Sequence, residues 1–179
     1  MRFIRSLSFV VVGLALVVLA GFQSPALADN PPRQVPDAKL VGEARFEIFF
    51  FKIYDAQLFA PDGVYDPRGV YALRLNYLVD AKEDRIIKQT VKEMKRMKAA
   101  SHAKIESWVP VMEEAFIDME EGSFADFIRL ADGTLTLAAN GKEISRIEDK
   151  RLVRALMNIW LGKKVRDEEF RDKLIGRAG

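Results

Sequence analysis

Arg45 and Tyr54 are the side chains in this sequence best suited to hold a polarised oxygen. A guanidinium presents a planar fork of N–H donors to a carboxylate or carbonyl, and a phenolic hydroxyl can share the same oxygen. Such a pair calls for no cofactor and no metal. Both residues lie in Gly42 to Pro61, GEARFEIFFFKIYDAQLFAP, where Arg45, Glu47, Lys52, Tyr54 and Asp55 are set among aromatic and aliphatic residues. A simpler reading competes: Arg45 pairs with Glu47 on the same strand face, and Tyr54 is an ordinary core aromatic with its hydroxyl satisfied. The two are nine positions apart, so on one regular strand they face opposite ways. Convergence needs a bend or register break. Three consecutive phenylalanines, Phe49 to Phe51, break the alternation and put a bulge or tight bend there.

Other chemistries are excluded by count. His102 is the single histidine and there is no cysteine. Two-histidine sites, thiol nucleophiles and thiolate metal ligands are therefore out. A serine triad would depend on His102, in a loop-like Ala99 to Lys104, and no Gly-x-Ser-x-Gly turn is present. Nor is there a Gly-rich phosphate loop or an EF-hand pattern. No catalytic residue and no metal ligand is assigned.

The elements that must position Arg45 and Tyr54 follow from periodicity. Val70 to Val79 alternates as a half-buried strand. Asp80 and Glu83 resemble a capping box, and Ile87, Val91, Met94 and Met97 mark a helix over Ala81 to Lys98. Its basic face reads as solvated, with contact to an acidic partner or anionic surface as the alternative. Trp108 to Met119 forms a second helix with Ser107 as its N-cap. Phe124 to Leu130, Thr134 to Ala139 and Lys142 to Ile147 are strands joined at Asp132-Gly133 and Asn140-Gly141, both typical of tight hairpins. Leu152 to Trp160, closed by Gly162, and Asp167 to Leu174, closed by Gly176, are the last helices. Strands, helices, strands, helices, with no strand–helix–strand alternation, define α+β with a large antiparallel sheet against a layer of helices.

The N-terminus sets the expected compartment. Arg2 and Arg5 precede the apolar run Leu7 to Phe22, and Ala26-Leu27-Ala28 has the form of a signal-peptidase site, so cleavage after Ala28 and a periplasmic location are expected. Residues 29–38 read as an extended proline-rich tether and 39–179 as one domain. Cleavage removes two basic residues and no acidic one, leaving 26 of each sign. That balance argues against nucleic acid as a partner. Membrane contact is expected only through the N-terminal segment before cleavage.

Gly42-x-x-Arg45, Lys52-Ile53-Tyr54-Asp55-Ala56-x-Leu58-Phe59, Leu75-x-Tyr77, Asn140-Gly141, Arg154-Ala155, Ile159-Trp160-Leu161-Gly162 and Arg171-Asp172-Lys173-Leu174-Ile175-Gly176 together resemble the bacterial chalcone isomerase-like family of exported proteins. The resemblance spans nearly the whole mature chain. It implies an antiparallel sheet carrying helices, with a ligand cleft between them. In plant chalcone isomerases an arginine of this region polarises the substrate, and in fatty-acid-binding relatives an arginine and a tyrosine hold the carboxylate. Arg45 matches the arginine. Tyr54 stands where the enzymes have a threonine after a Lys-Phe pair, which argues against chalcone cyclisation. The expectation is a non-catalytic protein binding a small apolar acid, such as a fatty acid, through Arg45 and Tyr54. The alternatives are an isomerase acting on a chalcone-like substrate and a protein-interaction module.

Overall fold

The structure, a computed structural model, describes residues 30–177. The apolar run and the expected cleavage after Ala28 lie outside the described residues. Six strands follow one another across a single antiparallel sheet: β1 (Ala38–Ile48), β2 (Phe51–Pro61), β3 (Tyr71–Tyr77), β4 (Phe124–Arg129), β5 (Leu135–Ala139) and β6 (Lys142–Ile147). Helices α1 (Glu83–Met97), α2 (His102–Glu106) and α3 (Val109–Ala115) enter between β3 and β4, and α4 (Lys150–Leu161) and α5 (Glu168–Leu174) follow β6. This is the expected α+β architecture.

Alternation along each strand makes the two sheet faces different. On the helix side, Ala56, Leu58, Leu73, Leu75, Phe127 and Leu137 pack against Met94, Met112, Leu152 and Leu156 in one core. The other side carries a second, small apolar cluster of Val35, Ala72 and Ile128. It also holds a buried ion pair, in which Arg74 Nε and Nη2 donate to Asp126 at 2.7 and 2.9 Å. Val35 is 3% exposed, so the proline-rich segment turns back onto the sheet and the folded part begins before Lys39. The lone valine of that segment finds a pocket that only the assembled sheet provides.

The stretch Gly42 to Pro61 is two strands, not one bent strand. Ile48 pairs with Phe51 across a two-residue turn of Phe49 and Phe50, and the register shifts between Phe46 opposite Tyr54 and Glu47 opposite Lys52. Ile53 is the extra residue. The alternation break thus corresponds to a chain reversal with a bulge beside it.

Two helix boundaries differ from expectation, the first because a distant carboxylate does the capping. Asp118 Oδ1 accepts the Glu83 N–H at the start of α1, while Asp80 accepts the Glu121 N–H instead. Trp108 to Met119 is helical only to Ala115, and Ser107 closes α2. Met119 leaves the helix to exchange backbone hydrogen bonds with Ala81, and both it and Phe116 stay buried. His102 opens α2 rather than sitting in a loop, and is exposed.

Candidate functional site

β1 and β2 carry Arg45 and Tyr54 to opposite faces of the sheet. Arg45 lies directly across from Asp55 and donates to both its oxygens, Nε at 2.6 Å and Nη2 at 2.8 Å. Asp55, first by this hydrogen bond and then by its charge, raises the Arg45 pKa above its ordinary value. The guanidinium faces away from the helices at 44% exposure. Its partner is therefore a cross-strand carboxylate rather than Glu47, and exposed pairs of this kind contribute up to about 1 kcal/mol. The hairpin brings the two residues onto neighbouring strands but does not bring their side chains together.

Tyr54 points to the helix side, into a cavity of about 450 Å³ between β1, β2 and β3 and the helices α1, α4 and α5. That volume lies within the range of about 300–1,000 Å³ usual for small-molecule sites. Its sheet wall is aromatic. Phe46 stacks on Tyr54 with centroids 5.0 Å apart, and Tyr77 and Phe170 meet the Tyr54 ring edge-on at 6.3 and 6.5 Å. Leu75, Ile53, Ile86 and Ile159 supply aliphatic surface. The wall is this apolar because the same register places Phe46, Tyr54 and Tyr77 side by side on three strands.

Few polar groups reach this space, and several have hydrogen-bonding capacity left over. Trp160 Nε1 donates to the Tyr54 hydroxyl oxygen at 3.0 Å, so Tyr54 keeps its own proton for another acceptor. Burial raises the Tyr54 pKa far above its ordinary value, outweighing the tryptophan hydrogen bond. Burial likewise pushes Tyr77 up to about 12. Both therefore remain neutral O–H donors at physiological pH. The hydroxyls of Tyr77 and Thr90 make no hydrogen bond among the described residues, and neither does the Arg85 guanidinium, which lines the cavity from an exposed position on α1.

The remaining charged wall is already paired. Glu93, 6% exposed, accepts from Arg96 Nε at 2.7 Å and from Arg166 Nη2 at 2.6 Å. Burial opposes its charge, but the two arginines overcome this and hold its pKa below the usual carboxylate value. Arg96 also donates to the Lys164 carbonyl, so the cluster ties α1 to the segment between α4 and α5 and keeps the cavity wall in place.

Arg85 was not singled out in the sequence because α1 has a run of basic residues, and periodicity alone does not say which one borders a cavity. Its signal was the four-residue spacing of Arg85, Gln89 and Glu93, which sets them in one row along the helix. Elsewhere on that face Lys82 binds Asp118, Lys95 binds Glu106 and Arg96 binds Glu93, so much of the basic character is neutralised internally. Among the described residues no cluster of three or more His, Asp or Glu side chains is arranged to hold a metal.

An antiparallel sheet with helices on one face and an apolar, hydroxyl-lined cavity between them defines a class of α+β folds. Within it, this chain belongs to the chalcone isomerase-like family, whose model matches residues 29–176. No curated protein matches the sequence. Among solved structures, the chain is similar to a fatty-acid binding protein of Arabidopsis thaliana. The TM-score is 0.62 at 12% identity, over 83% of this chain and 92% of that one. At that identity the likeness concerns the fold.

Proposed function

We propose that this protein binds a small apolar acid, such as a fatty acid, without catalysing its conversion. The tail lies among Phe46, Ile53, Leu75, Ile86 and Phe170, Arg85 supplies the counter-charge at the rim, and Tyr54 donates a neutral hydrogen bond. The observation that carries this reading is an apolar cavity bordered by the Arg85 guanidinium, which has no hydrogen bond among the described residues, and by the hydroxyls of Tyr54, Tyr77 and Thr90, each with a proton to donate. The fatty-acid binding protein of similar fold supports it. Arg45, on the opposite face of the sheet and engaged by Asp55, has no part in it. Arg2 and Arg5 before the apolar N-terminal run, with Ala26-Leu27-Ala28 after it, support export with cleavage after Ala28, which N-terminal sequencing of the secreted product tests.

Native mass spectrometry with organic extraction, followed by titration of the emptied protein with palmitate, tests the binding reading. Loss of a hydrogen bond to a charged group costs about 1.5–3 kcal/mol, or roughly ten- to a hundredfold in Kd. Arg85→Gln is expected to show that loss, Tyr54→Phe a smaller one, and Arg45→Ala a change within about twofold. Absence of any bound or titratable acid, or sensitivity to Arg45→Ala alone, would overturn it.

A further inference from the structure

The tip of the β1–β2 hairpin carries the three most exposed large apolar side chains among the described residues. Phe49, Phe50 and Phe51 are 89%, 96% and 71% exposed, and Ile48 beside them 48%. Four consecutive apolar side chains standing in water at a reversal are a large unfavourable exposure. The turn itself disfavours them: Phe49 has φ +57°, the left-handed region where glycine, asparagine and aspartate are at home and a bulky side chain is strained. Local structure and solubility would both be better served by small polar residues. The phenylalanines therefore answer to something outside the folded chain.

We propose that this tip inserts into the interface of a lipid bilayer. Three features favour a bilayer over a protein groove. The tip is a two-residue turn, so its rings project on a narrow finger that a fluid apolar layer surrounds on all sides. A flat partner would cover them on one side only. Lys52, exposed at its base, has a flexible stem that lets its ammonium remain at the headgroups. Finally, the tip is continuous with the cavity: Ile48 is part of both, and Ile53 and Phe46 lead inward from it along the same hairpin. Insertion would set the mouth of the cavity against the apolar layer, so that an acid could pass between lipid and protein without crossing water. Insertion stands without the cavity reading, whereas the transfer role rests on it. This extends membrane contact beyond the N-terminal segment to which the sequence reading confined it.

Because the chain lacks cysteine, Lys52→Cys gives a unique position for a polarity-sensitive fluorophore in the mature protein from Asp29 onward, and Glu143→Cys on the far edge strand gives a matched control. On palmitoyl-oleoyl phosphatidylcholine vesicles, the label at 52 should shift blue and be quenched by lipids brominated near the headgroup end of their chains, while the label at 143 should not. Replacing Phe49, Phe50 and Phe51 together by serine should abolish the shift, and single replacements should weaken partitioning by about tenfold each. Half-molar salt should leave the shift intact, because it derives from apolar burial. With a fluorescent fatty acid preloaded in the vesicles, the triple variant should take it up slowly while binding it normally from solution. No vesicle-dependent change at position 52 would overturn the proposal. A blue shift without vesicles that grows with protein concentration would do so too, because it would make a second copy of the chain the occupant. Insertion without acid uptake in any form would leave the membrane contact standing and count against the cavity reading instead.

Discussion

Phe49 shows how a single backbone angle separates what folding favours from what is kept. A non-glycine residue in the left-handed region costs about 1–2 kcal/mol, and the buried surface of the domain gains nothing from this ring. Phe49→Gly should therefore raise stability by about 1 kcal/mol, a Tm increase of about 2–4 °C in a chain of this size, measured by thermal unfolding. The same variant should bind vesicles less well. Arg45 and Tyr54 illustrate the complementary point: both residues stood out in the sequence, but neighbouring strand positions carry side chains to opposite faces. Only Tyr54 reaches the cavity, and Arg45 lies across from a carboxylate that the sequence places ten residues away.

At the level of elements, α5 and β1 are held at a distance that only glycine permits. A Cβ on Gly42 would stand 2.0 Å from the Lys173 carbonyl oxygen and 2.9 Å from that of Leu174. Both are backbone atoms, so the helix as a whole would have to move. Gly42→Ala should cost roughly 1–3 kcal/mol, as other overpacked contacts do, with the urea midpoint falling at unchanged m. Because Phe170 of α5 lines the cavity, affinity for a bound acid should fall in the same variant. Gly42 was visible in the sequence as a motif position, but not its reason, since the helix that crowds it lies 130 residues further on. The hairpin turns were legible in detail: Asn140 and Gly141 both adopt positive φ, at 49° and 77°, because the residues that tolerate that region announce it locally. A reversal made of phenylalanines carries no such signal, which is why β1 and β2 read as one strand.

At the scale of the whole molecule, Asp149 joins the two helical segments. Its carboxylate caps α4 through the N–H groups of Arg151 and Leu152 and accepts from Trp108 Nε1 at 2.8 Å and Lys104 Nζ at 3.3 Å. Burial works against the charge, but these donors prevail and hold the pKa at about 2, below the roughly 3.9 of an unfolded aspartate. Its contribution is therefore complete above about pH 5 and is lost as the pH falls through 2. Stability followed by tryptophan fluorescence should be level down to about pH 5 and decline below it, and Asp149→Asn should be less stable at pH 7 with a shallower acid decline. The sequence by itself determined the α+β class and most of the helices and strands, because hydrophobic periodicity, glycine turns and chain order are local properties. Tertiary structure alone decided that Arg85 borders the cavity, that Arg45 is engaged by Asp55 on the outer face, and that three phenylalanines project from the β1–β2 turn. Those facts depend on register, sheet face and the approach of distant segments, which no local pattern encodes.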